Sequence, residues 1–526
     1  MGTYLNPGNR GFIEIRNGTY VDKTGLIGQI NETIGTKEKL ICISRPRRFG
    51  KSYATQMLCA YYDKTCDSAA LFDDLAIAVD ERWNGGYRQH LNQYDVIYLD
   101  MTNLMGKAQA ENMISYIEDS VTEELVLAYP GLKARNAFDE TLIRAVELTG
   151  NKFVMIIDEW DAPIREIPEL QKTYLKFLRM LFKGSGTTDK IFAAVYMTGI
   201  LPIKKDGSQS AISDFQEFPV IKPRYFGPYV GFTATEVRKL CEEHHCDFAQ
   251  MRYWYDGYSF RGVGSVYNPN SVMKAIRYHD FDSYWTQTSA AESLAGYVSL
   301  DYDGLSGTVA ELIGGGRVRV DTKGFANDLV TFRNRDDVLT LLIHLGYLAY
   351  EEETGTVRIP NEEIRLEFVK MIRQVKRDDT IRRVRESDQL ILDTIQGKEE
   401  AVAAQIERIH EEESPLHYHG EQALRSVVKR AYFSYGDEYL LFEEFPSGVG
   451  YADILYLPRK YSPLPALLIE LKWNQSAEGA IAQIKDRNYP QAIKDFGGDL
   501  LLVGISYDKD APAGQRKHTC CIEKYV

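Results

Sequence analysis

The chain is 526 residues long and 44% hydrophobic, with 62 basic against 75 acidic residues and a net charge of −13. That length exceeds one ordinary core and suits two to four domains. The acidic balance excludes nucleic-acid binding through overall charge and leaves only a local basic groove for that purpose. Seven cysteines stand at 42, 59, 66, 241, 246, 520 and 521 without the paired spacing of structural zinc, so free thiols in a reducing compartment are expected. The opening "MGTYLNPGNRGFIEI" has no signal pattern and no run reaches eighteen apolar residues. No membrane association is expected, and the cytoplasm is the default location.

Residues 1–225 alternate short apolar runs with helical segments. "KLICIS", "DVIYLDM", "KFVMIIDE" and "IFAAVYMTG" read as strands, with segments such as "YATQMLCAYYD" and "ENMISYIEDSVTEELVLAY" as helices between them. The runs barely alternate with polar residues, as expected for parallel strands covered on both faces. The fold class is therefore α/β, with an N-terminal doubly wound sheet.

The first strand leads into "SRPRRFGKS" and then a helix, which is the strand–loop–helix setting of a phosphate loop. Gly50, Lys51 and Ser52 form the intact tail of that motif, where backbone N–H groups wrap phosphates and the lysine reaches the outer ones. Arg45 occupies the place of the usual first glycine. Phe49 lies within the loop. Arg47 and Arg48 have two readings, phosphate contact or ion pairs that shape the loop. "KFVMIIDEWD" ends a strand in Asp158 and Glu159, with Asp161 close by. In a phosphate-loop ATPase the first acid holds Mg²⁺, together with Ser52, and the second activates the attacking water. The plain alternative is a buried strand followed by a helix-capping acid.

Residues 226–395 read as a mostly helical middle, from "TATEVRKLCEEH", "PNSVMKAIRYH" and "DDVLTLLIHLGYLAY". "MRYWYDGYSFRGVGSVYNPNS" reads as a loop or small hairpin fixed by stacked rings, and "GYLAYEEETGTVRIPNEEI" as a hairpin. The basic run of Arg373, Lys376, Arg377, Arg382, Arg383 and Arg385 is interrupted by Asp378, Asp379 and Glu386. That favours a solvated face over a phosphate-contact surface. For "YWYDGYSF", core packing is favoured over base stacking.

Several blocks resemble the AAA-ATPase-like family of bacteria and archaea: "YVDKTGLI", "SRPRRFGKS", "IIDEWDAPI", "YMTGILPIKK", "YWYDGYSF" and "VYNPNS", in family order over roughly the first 290 residues. The resemblance implies ATP and Mg²⁺ as cofactors, with Lys51, Ser52 and Asp158 as nucleotide and metal residues and Glu159 as the base. It implies that Arg45 is normal for the loop and that Asp22 and Lys23 pack near the nucleotide. Some relatives carry an arginine after "TG". Here Ile200, Leu201 and Pro202 follow, which leaves Lys204 or Lys205 to sense the outer phosphate. Whether an arginine finger is supplied in cis or in trans stays open, as does a homo-oligomer.

Residues 396–526 give helix, strands, helix, strand. "EYLLFEEFPSGVGYADILYLP" places Asp453 on a strand, and "PALLIELKW" places Glu470 and Lys472 two apart, on one face of the next. Two carboxylates and an ammonium suit metal-dependent phosphodiester hydrolysis, with Asp453 and Glu470 holding Mg²⁺ or Mn²⁺. Lys472 would orient water or steady charge on phosphorus, and the Leu471 carbonyl would offer a further oxygen. Gln483 in "SAEGAIAQIKDRNY" and Glu421 in "GEQALRSVVKRAYF" are accessory candidates. The plain alternative is a surface Lys–Glu pair. "GYADILYL", "LLIELKW", "AIAQIKDRNYPQAI" and "LLVGISY" resemble the PD-(D/E)xK nuclease superfamily domain, which implies a restriction-endonuclease-like α/β fold here.

Together these readings lead to an expected ATPase that couples nucleotide hydrolysis to DNA binding or cleavage. The alternative is a non-cleaving ATP-dependent switch that binds nucleic acid or a protein partner.

Overall fold

The computed structural model describes residues 2–108, 112–183, 185–203, 205–206, 209–210, 212, 214–285, 304–327, 332–374, 378–411, 420–434, 439–447, 450–459, 462–487, 489–490, 493, 498–512 and 517–525. Two compact units divide the chain: Met1–Tyr284 with Arg319–Asn361, and Trp285–Val318 with Glu362–Val526. Residues of the segment 226–395 therefore fall in both. Among the described residues no helix is long and apolar enough to cross a membrane.

The first unit is organised by a five-stranded sheet. Its strands are β1 (Leu40–Ser44), β2 (Asp95–Asp100), β3 (Phe153–Asp158), β4 (Phe192–Gly199) and β5 (Gln216–Phe218), in the order β2-β3-β4-β1-β5. Every neighbouring pair is parallel. β1, β3 and β4 are buried along their whole length, which is why their sequences are unbroken apolar runs. The chain leaves β1 for the far edge and returns beside it as β4. The ends of β1, β3 and β4 thus share the carboxyl edge of the sheet, where an open α/β sheet binds its ligands. Helix α1 (Lys51–Tyr62) starts from the loop after β1. The three-residue β5 is too short to stand out in the sequence.

The same unit carries an antiparallel three-stranded sheet of Phe232–Thr233, Tyr258–Phe260 and Gly264–Tyr267. Of the stretch expected as a loop or small hairpin, Tyr258–Tyr267 does form a hairpin, whereas its first residues, "MRYWY", belong to a helix, Phe248–Tyr255. Asp247 accepts hydrogen bonds from the N–H groups of Ala249 and Gln250, and Met251, Trp254 and Tyr255 bury one face. Asn268 likewise caps α2 (Pro269–Tyr278), with proline at its first position.

The second unit holds a mixed sheet in sequential order. Its strands are β6 (Tyr439–Ser447), β7 (Gly450–Pro458), β8 (Ala466–Trp473), β9 (Leu500–Tyr507) and β10 (His518–Tyr525). Only β8 and β9 run parallel, and α4 (Ala477–Asp486) lies between them in sequence. Strand alternation sorts β8 cleanly. Leu467, Ile469 and Leu471 join a core with Leu424, Val427 and Val428 of α3 (Glu421–Ala431). Ala466 and Leu468 join a second core with Ile481 and Ile484 of α4. The same period sends Glu470 and Lys472 to the α4 face.

Candidate functional site

The loop between β1 and α1 turns on two left-handed residues, Arg48 at φ 69° and Gly50 at φ 87°. Space beside Gly50 is open, so the torsion and not crowding calls for glycine. Lys51 is buried and folds back over the loop. Its Nζ donates to the carbonyls of Arg45 (3.2 Å) and Pro46 (3.0 Å) and lies 3.3 Å from Glu159 Oε1.

Asp158, at the end of β3, is buried beside α1. Burial pushes its carboxyl up to about 6, while a hydrogen bond with Ser52 pulls the other way and Glu159 adds to the rise. Thr55 Oγ1 also approaches Asp158 at 3.4 Å. Glu159 adopts a left-handed φ of 50°. Its two oxygens are divided, Oε1 to Lys51 and Oε2 to Arg165 Nη2 at 3.1 Å. Burial works to raise this acid, but Lys51, Arg165 and Arg47 together hold it below its ordinary range.

The loop arginines part company. Arg45 is fully buried and donates to the carbonyls of Ser44 (2.8 Å), Phe218 (2.7 Å) and Phe226 (3.4 Å), with its guanidinium 5.2 Å from the Phe260 ring. It braces the fold beneath the loop. Arg47 is half-buried and acts electrostatically on Glu159. Arg48 is exposed and donates to the Tyr284 carbonyl at 3.2 Å. Phe49 is buried edge-on to Tyr258.

Nearby acids and lysines are also accounted for. Asp161 accepts from the N–H groups of Ile200 (3.1 Å) and Leu201 (2.8 Å) and pairs with Arg165 Nε at 2.9 Å. Asp22 braces its own turn by accepting from Thr24, and ties it to a distant segment by accepting from the Ala76 N–H. Lys23 pairs with Glu236 at 2.6 Å. Lys204 and the Lys205 side chain lie outside the described residues, as do the side chains of the basic run 373–385.

A cavity of about 830 Å³ opens from this loop. Lys51, Ser52 and Glu159 line it, as do the apolar Ile15, Val21 and Met57 and one face of α2. Its volume suits a small organic ligand.

Residues 8–208 match the family described as "Predicted AAA-ATPase". Among solved structures, the Aeropyrum pernix ORC2 protein in ADPNP–ADP complexes is similar at 11% identity and a TM-score of 0.30, covering 69% of this chain and 98% of that one. No curated protein matches the chain. Lys51, Ser52, Asp158 and Glu159 lie within the matched residues.

Asp453 and Glu470 face each other one step beyond the last paired residues of β7 and β8, Ile454 and Ile469. Asp453 Oδ2 accepts from the Leu471 N–H at 2.8 Å, and Oδ1 from Arg425 Nη2 at 2.5 Å. Glu470 Oε1 takes Lys472 Nζ at 3.3 Å and the Gln483 amide. Glu470 Oε2 is buried with no hydrogen-bond partner among the described residues. Burial, then the charge on Asp453, push the Glu470 carboxyl up to about 7, and Lys472 opposes the rise. Glu421 is exposed at the start of α3, and the side chain of that helix that reaches Asp453 is Arg425, one turn on. Among the described residues, no three His, Cys, Asp or Glu side chains group as a metal cluster.

Sequence reasoning passed over Asp100, Arg165, Arg425 and Asn270. Asp100 had a readable signal, because "VIYLD" and "VMIID" both end in aspartate, and Asp100 pairs with Asp158 in register. Arg425 gave none, since Glu444 and Asp453 come from other elements, whereas Arg165 stood in plain view four residues after its partner Asp161.

Proposed function

We propose that the first unit binds and hydrolyses ATP. The observation that carries this reading is that Lys51, Ser52 and Glu159 line one cavity at the carboxyl edge of a parallel sheet, with Asp158 buried behind them and bonded to Ser52. The apolar Ile15, Val21 and Met57 suit the base, and the basic loop suits the phosphates. Lys51 Nζ exchanges its loop carbonyls for phosphate oxygens. That exchange frees Glu159 Oε1 to orient water and accept its proton. The Ser52 hydroxyl and Asp158 carboxylate form a hard-oxygen pair that fits Mg²⁺. Mg²⁺ would supply neutralisation of charge on the phosphates. Arg165 steadies Glu159 from behind. ATP turnover by the full chain, compared with Lys51→Ala and Glu159→Gln, tests this. Loss in both folded variants is expected, and equal turnover in all three overturns it.

A second reading concerns the unit carrying Asp453 and Glu470, where metal-dependent cleavage of DNA or another nucleic acid is proposed. The orphaned Glu470 Oε2, opposite Asp453 and beside Lys472 and Gln483, favours it. A divalent ion there, Mg²⁺ or Mn²⁺, would polarise the phosphodiester and lower the pKa of bound water. Lys472 and Gln483 hold the Glu470 carboxylate in place. The non-cleaving switch is favoured instead by Arg425, which already neutralises Asp453. Incubation of DNA with Mn²⁺ and the wild type, Asp453→Asn or Lys472→Ala separates the two. Cutting abolished by both substitutions supports cleavage, whereas binding without cutting supports the switch.

A further inference from the structure

The block "VYNPNS" has no role in the function above, yet it ends at the cavity. It closes the strand Gly264–Tyr267 and opens α2. Asn268 is 2% exposed, and its Oδ1 accepts from the Asn270 N–H at 2.9 Å. Pro269 supplies a fixed φ and needs no N–H partner. The cap thus fixes the Asn270 backbone and leaves the Asn270 carboxamide for something else.

That carboxamide lines the cavity shared with Lys51 and Ser52. Its Nδ2 is buried without a hydrogen-bond partner among the described residues. Where it stands the donor is unmet and out of a ligand's reach, which is unfavourable. A half-turn of the terminal torsion exchanges Nδ2 and Oδ1, so the donor can be turned toward a ligand on the cavity side.

Position decides which part of a nucleotide supplies the acceptor. A Cβ on Gly231 would lie 3.1 Å from Phe49 Cδ1 and 3.5 Å from the Tyr267 carbonyl. The end of the Gly264–Tyr267 strand therefore packs against the phosphate loop, and Asn270 follows three residues later. Asn270, Lys274 and Arg277 stand at i, i+4 and i+7 on the cavity side of α2. These three are polar or basic and suit phosphate, while Met273 and Ile276 of the same helix add apolar lining.

We propose that Asn270 is a nucleotide-recognition residue that donates its side-chain amide to a phosphate oxygen. The proposal rests on the ATP-binding reading and adds the contribution of α2 to it.

The test is competition by ATP, ADP and adenosine against a fluorescent ATP analogue on the full chain with Mg²⁺, for wild type, Asn270→Ala and Asn270→Asp. Asn270→Ala should weaken ATP about tenfold, the loss of one hydrogen bond to a charged group, and leave adenosine unchanged. Asn270→Asp keeps the shape and replaces the donor with a like charge, so ATP should weaken further while adenosine again does not move. Equal weakening of adenosine and ATP, or unchanged ATP, overturns the assignment. A folded wild type that binds no nucleotide overturns the ATP reading along with it.

Discussion

Arg45 stands where a phosphate loop usually has its first glycine, and its replacement by glycine separates bracing from ligand binding. The buried guanidinium makes two short hydrogen bonds, 2.8 and 2.7 Å, to the Ser44 and Phe218 carbonyls and a longer one to Phe226. Bonds from a charged donor contribute about 1.5–3 kcal/mol each, so the short pair supplies about 3–6 kcal/mol. Burial opposes the charge and pulls its pKa down to about 10, a cost of about 3 kcal/mol. Removing the side chain relieves that cost. It also strands the Phe218 and Phe226 carbonyls in a dry space and opens a void over Phe260. The expected result for Arg45→Gly is a loss of about 3–5 kcal/mol, in line with breaking a buried charged network. Arg45→Lys should fall between the two, because one ammonium cannot span three carbonyls. Urea unfolding of each variant measures the loss, and ATP titration of the folded fraction measures the site. Arg45→Gly within 1 kcal/mol of wild type, or with tighter ATP binding, would refute the bracing role.

Gly504 pairs with Glu470, and a Cβ there would lie 2.2 Å from the Ala477 carbonyl oxygen. Gly504→Ala should cost about 1–3 kcal/mol by overpacking and shift α4 with its Gln483, and an unchanged melting temperature would count against it. Arg425→Met should strip Asp453 of its counter-charge, destabilising the fold while tightening Mn²⁺ binding by calorimetry, and unchanged affinity would mean that Arg425 does not compete with the ion. Burial, then the neighbouring His518, pull the His410 pKa down to about 4, with Lys517 adding to the fall and Glu407 opposing it. The unfolded chain therefore binds the extra proton first, and stability present above about 6.5 should decline as pH falls toward 4. His410→Gln should flatten the pH dependence of the melting temperature over that window, and an identical slope would exclude His410 as its source.

The strands of the parallel sheet were legible because burial on both faces writes an unbroken apolar run into the sequence. Gly50, Lys51 and Ser52 were legible because the chemistry sits in consecutive residues. β5 was not, since three residues carry no period. The helix Phe248–Tyr255 was hidden because its aromatic residues resemble a ring-packed loop, while the signal lay in the Asp247 cap. The role of Arg45 was invisible for a different reason: its carbonyl partners at 218 and 226 are far away in sequence. Glu470 and Lys472 could be placed on one face from their spacing alone, whereas Arg425 reaches Asp453 only through the packing of α3.

Asp161 grips the first two peptide N–H groups after β4 and also holds Arg165, which in turn holds Glu159. The segment leaving β4 is thus geared to Glu159, the acid just past β3, through two side chains. A displacement of Ile200 and Leu201 by any ligand or neighbour would be felt at the Glu159 carboxylate as a change of aim.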